Sequence, residues 1–101
     1  MYASTLTIGE IGAAVSEAAA ACDVLRVYLF GSYARGSATA DSDVDLCLET
    51  GPSFSLFSAG GLASELESAF GVPVDVVTER SLYPFARETM LKDRLLVYER
   101  V

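Results

Sequence analysis

A chain of 101 residues with seven basic and fourteen acidic side chains carries a formal net charge of −7 and contains no histidine. That balance argues against a polynucleotide held by the protein's own basic surface. The missing imidazole removes the commonest general base and the commonest transition-metal ligand, and 51% hydrophobic residues exclude a disordered chain.

No apolar run approaches the roughly 20 residues that span a bilayer. Residues 1–6 contain no Lys or Arg to open a signal peptide. The expectation is one domain over residues 1–101, cytoplasmic, with no membrane and no directly bound nucleic acid. Cys22 and Cys47 fit a reduced compartment and read as packing residues.

The first predicted element is a helix over about residues 7–21. Thr7 and Glu10 form a capping box, and Ile8, Ile11, Val15, Ala18 and Cys22 recur at helical spacing. Val24–Phe30 is nearly all apolar apart from Arg26, which suggests a central strand covered on both faces. Gly31 ends it, Tyr33–Gly36 reads as a short helical turn, and Ser37–Ser42 reads as loop.

Asp43–Glu49 alternates strictly, so Val44, Leu46 and Leu48 face a core while Asp43, Asp45, Cys47 and Glu49 face the other way. Glu49 reads as a solvated strand end. A second amphipathic helix follows on Ala59, Leu62, Ala63, Leu66, Ala69 and Phe70, weakened by Gly60-Gly61 and stopped by Gly71. Pro73–Val77 is a short strand carrying Asp75, and Pro73 at its start suits a strand. Leu82, Phe85, Ala86, Thr89 and Met90 suggest a third helix with Lys92 and Arg94 at its C-terminus, and Leu95–Tyr98 reads as a closing strand. The resulting fold class is α/β (α+β): a small mixed β-sheet with helices mainly on one face and the aspartates on the other.

Residues i and i+2 of a strand point to one side, about 6–7 Å apart at Cα. Two carboxylates that converge to about 4–5 Å repel by roughly 3–4 kcal/mol at an effective dielectric near 20. A divalent cation relieves that repulsion, and an oxygen-only donor set selects Mg²⁺, with Mn²⁺ as the alternative ion. With Asp75 on a neighbouring strand, Asp43, Asp45 and Asp75 could bridge two such ions. Gly31-Ser32 aims backbone N–H groups beyond the strand end, where an anion is favoured. The Ser32 hydroxyl and the Arg35 guanidinium are further phosphate donors; Arg35 as a surface residue or an ion-pair partner of Asp41 is the plainer reading. Phosphates beside divalent ions suggest phosphoryl or nucleotidyl transfer.

Gly31-Ser32, ten intervening residues, Asp43-Val44-Asp45 and the later Val74-Asp75-Val76 resemble the signature of the DNA-polymerase-β-like nucleotidyltransferases. The fuller string Gly-Ser-Tyr-Ala-Arg-Gly…Ser-Asp-Val-Asp-Leu is similar to the minimal nucleotidyltransferases found beside HEPN-domain proteins. The resemblance covers about Val24 to Val77. It implies a polymerase-β-like fold, a nucleoside triphosphate substrate such as ATP, and metal ions held by Asp43 and Asp45. It further implies that Asp75 completes the second ion's shell and orients or deprotonates the acceptor hydroxyl, and that Gly31 and Ser32 bind the β- and γ-phosphates. The implied partner is a HEPN toxin neutralised by AMPylation of a tyrosine, in a partner complex or a homo-oligomer. Two alternatives stand beside this reading. One is a non-catalytic module that occludes its partner; the other is transfer to a small-molecule hydroxyl such as an aminoglycoside's.

Overall fold

A computed structural model of the chain describes residues 5–79 and 92–101. Helix α1 spans Ile8–Ala19. The capping box is formed on both sides: the Glu10 N–H donates to the Thr7 hydroxyl at 3.0 Å, and the Thr7 N–H donates to the Glu10 carboxylate at 2.8 Å. Strand β1 is Val24–Phe30, as expected, and the short helix α2 is Ser32–Arg35, closed by Gly36 in the left-handed region.

Strand β2 is Val44–Thr50, one residue later than the alternation suggested, so Asp43 precedes the strand and Asp45 lies within it. Helix α3 runs Leu56–Phe70. It begins earlier than its apolar spacing indicated because Ser55 caps it, accepting the Ser58 N–H at 3.2 Å. Tertiary packing of Leu62 and Leu66 carries the helix through Gly60-Gly61. Strand β3 is Val74–Thr78 and β4 is Leu95–Glu99. The predicted third helix around Leu82–Met90 lies outside the described residues.

The strands form one sheet in the order β3-β2-β1-β4. β1 pairs antiparallel with both β2 and β4, while β2 and β3 are parallel and joined through α3. The mixed sheet expected from the sequence is therefore present. Its core lies on one face. Ile11, Val15, Ala18 and Ala19 of α1 and Leu62 and Leu66 of α3 pack on Val24, Val27, Leu29, Val44, Leu46 and Leu48.

The second face carries Arg26, Tyr28, Phe30, Asp45, Cys47 and Glu49, the other phase of the same alternation. Glu49 is not a freely solvated strand end. Arg26 sits opposite it on β1 and pairs with it, while also reaching Glu99 of β4 at 2.8 Å. Cys47 is buried at 2% exposure, consistent with packing. Arg94 leaves the helical role expected of it and lies over the Tyr28 ring, 3.9 Å from its centre, with Glu79 as ion-pair partner at 3.4 Å. Among the described residues no helix is long and apolar enough to cross a membrane.

Candidate active site

The sheet brings the ends of three strands together on one side. Phe30, the last residue of β1, stands opposite Asp45 near the start of β2, and Asp45 stands opposite Asp75 near the start of β3. One transverse row of the sheet therefore reads Phe30, Asp45, Asp75. The parallel register sets Asp75 level with Asp45, on the same face of the pleat. Asp75 is exposed and does not enter the core.

Gly31 follows Phe30 with φ 76° and ψ −153°, a backbone state essentially reserved for glycine. A β-carbon placed there would fall on Oδ2 of Asp45. The turn and the carboxylate are thus in van der Waals contact, and glycine is what lets the backbone come so close. Ser32 then opens α2, whose first N–H groups have no intrahelical partner by construction. Tyr33 anchors the turn from below. It is buried, and its hydroxyl accepts the Leu6 N–H at 3.3 Å. Arg35 ends α2 exposed; no ion pair with Asp41 forms, and its positive charge instead acts on Asp45.

The electrostatics single out Asp45. Partial burial pushes its carboxyl up to about 6, the neighbouring charge and hydrogen bond of Asp75 add to this, Asp43 adds less, and Arg35 opposes it. Asp45 and Asp75 thus stand close enough for the one charge to bear on the other. Asp43 flanks the pair. Among the described residues no three acidic, cysteine or histidine side chains are drawn up as a ready-made ion cage. The donors are nonetheless all carboxylate oxygens, the chemistry hard divalent cations take, and the Gly31 contact leaves backbone, not side chain, beside them.

A pH effect follows with a definite sign. The carboxyl of Asp45 binds its proton more tightly in the folded chain than at its ordinary value of 3.8. Its contribution to stability is therefore fully present below about pH 4 and is lost as pH rises through about 6. In metal-free protein, the melting temperature of Asp45→Asn minus that of the unsubstituted chain is expected to grow between pH 4 and pH 7. A difference that stays flat across that range would show that burial and the neighbouring acids do not hold this carboxyl above its ordinary value.

One residue that sequence reasoning passed over is Glu67, in the last turn of α3, whose carboxylate accepts the Val74 N–H at 3.0 Å. The available signal was an acidic residue where a helix end favours a basic one.

Residues 10–97 match the family model described as nucleotidyltransferase domain. A Methanocaldococcus jannaschii protein named as a candidate protein adenylyltransferase is 42% identical over 73 residues, 72% of this chain and 73% of that one. The solved structure of a candidate minimal nucleotidyltransferase is 35% identical and superposes with a TM-score of 0.77, covering 89% of this chain and 95% of the other. A chain from the crystal structure of a toxin–antitoxin complex with AMP-PNP shares the fold, with a TM-score of 0.76 at 22% identity over 88% of this chain and 73% of that one.

Proposed function

The chain belongs to the nucleotidyltransferase domain family, and we propose that within it this protein is an Mg²⁺-dependent protein adenylyltransferase, the antitoxin of a HEPN toxin. The observation that carries the reading is the row joining Asp45 to Asp75 with Gly31 in contact with Asp45. The relative named for protein adenylylation, and the AMP-PNP-bound toxin–antitoxin complex that shares the fold, support the substrate and the partner.

Asp43, Asp45 and Asp75 would hold the Mg²⁺ ions, which neutralise the triphosphate and polarise the α-phosphorus when bound. Gly31 and Ser32 would present backbone N–H groups and one hydroxyl to the β- and γ-phosphates, and Arg35 would pair with their charge. Asp75, at the exposed end of the row, would orient the acceptor hydroxyl and take its proton. The acceptor oxygen bonds to the α-phosphorus, the α–β phosphoanhydride breaks, and pyrophosphate leaves. Because the row is preformed by strand pairing, these residues need little reordering to act.

The test is incubation with ATP, Mg²⁺ and a purified HEPN toxin, the first choice being any all-helical HEPN protein found encoded beside this chain. The expected outcome is pyrophosphate release and a mass gain of one AMP per modified tyrosine, both lost on chelation. A carboxylate-deficient protein that still neutralises the toxin would replace catalysis by occlusion. Transfer to an aminoglycoside in place of the toxin would reassign the acceptor.

A further inference from the structure

We propose that Glu67 is a positioning residue for this site: its carboxylate holds the first N–H of β3 and thereby sets where Asp75 stands. The inference rests on the nucleotidyl-transfer reading for its catalytic consequence, but its structural part is independent of that reading.

β3 is an edge strand, paired with β2 alone among the described residues. At its start the parallel ladder runs through Pro73, whose carbonyl accepts the Val44 N–H at 3.0 Å. Alternate residues of a strand direct their backbone groups to opposite sides, so the Val74 N–H faces away from β2. Unpaired edge groups of this kind are where strands fray. Glu67 fills the position from α3, accepting the Val74 N–H at 3.0 Å, while its own backbone carbonyl accepts the Gly71 N–H at 2.8 Å. One residue therefore ties both ends of the α3–β3 connection.

Among the described residues the charge of Glu67 pairs with no cation. The last turn of α3 contains no basic residue, and an acidic one opposes the helix dipole. Glu67 is also one of the fourteen acidic side chains of a protein whose net charge is −7. The hydrogen bond to Val74 is what the structure gains in return. Val74 and Val44 are register partners, and Asp75 and Asp45 are the next pair along. Loosening Val74 loosens the rung that aligns the two carboxylates.

Two substitutions separate the hydrogen bond from the charge. Glu67→Gln keeps an accepting oxygen, and Glu67→Ala removes it. In amide exchange followed by NMR, the Val74 N–H is expected to exchange about tenfold faster in Glu67→Ala and at the unsubstituted rate in Glu67→Gln. In the transfer assay with ATP, Mg²⁺ and the HEPN partner, Glu67→Ala is expected to lose about tenfold in kcat with KM for ATP within about twofold, and Glu67→Gln to stay within about twofold in both. Unchanged Val74 exchange in Glu67→Ala overturns the proposal. So does an equal loss of activity in the two variants, which would make the charge the active feature. If the unsubstituted protein transfers nothing, the proposed function falls, and the exchange rate at Val74 still decides what Glu67 does.

Discussion

Asp45→Asn is expected to cut AMP transfer by about 10³-fold or more, roughly 4 kcal/mol of transition-state stabilisation, while the metal-free fold becomes more stable. Both halves come from one arrangement. Asp45 is half-buried, level with Asp75 and flanked by Asp43, so its charge is disfavoured; on the proposed function a bound cation would make that charge indispensable. Asparagine keeps the shape and removes the charge. The repulsion goes, and so does the anionic oxygen that, on the proposed function, would hold a divalent ion. Active sites that store such strain commonly gain stability when it is deleted. The checks are pyrophosphate release under saturating ATP and the melting temperature in chelator at pH 7. A variant that is less stable in chelator and still active would contradict the assignment on both counts.

Gly31→Ala should damage both stability and activity. Two effects coincide at this position. The backbone is in a region only glycine occupies cheaply, which costs any other residue on the order of 1–3 kcal/mol. The added carbon also falls on the Asp45 carboxylate, so either the turn or the carboxylate must move. The expected result is a melting temperature lower by roughly 5–15 °C and transfer reduced by about 10²-fold or more, since misplacement by about 1 Å has that effect on positioned chemistry. Gly36 is the internal control. It also has a positive φ, but a β-carbon there meets nothing within 4 Å. Gly36→Ala should therefore show the backbone cost of about 1 kcal/mol with activity retained. If both substitutions behave alike, the contact between Gly31 and Asp45 has no catalytic weight.

These expectations separate two kinds of information in the chain. The capping box at Thr7 and Glu10, the β1 boundaries, the Gly36 stop and the two-residue period of β2 were all readable locally. Each depends on groups within a few positions of one another. The spacing of Gly31-Ser32, Asp43 and Asp45 was readable for the same reason, and so was the family it resembles. The start of α3 is less legible locally because its two glycines weaken the helical pattern, while Ser55 and the burial of Leu62 and Leu66 outweigh them.

What the amino-acid order determined by itself was a set of short elements, their faces, and a glycine-serine turn followed at a fixed spacing by two acids. The tertiary structure alone decided who meets whom across strands. Asp75 stands level with Asp45 because β3 pairs parallel to β2 in that register. Glu49 is paired because Arg26 lies opposite it, and Glu67 reaches Val74 because α3 packs back along the same edge. Periodicity and capping are properties of neighbouring residues. Register and partner choice are settled only when separate elements pack, since a slip of one residue would turn every side chain to the other face.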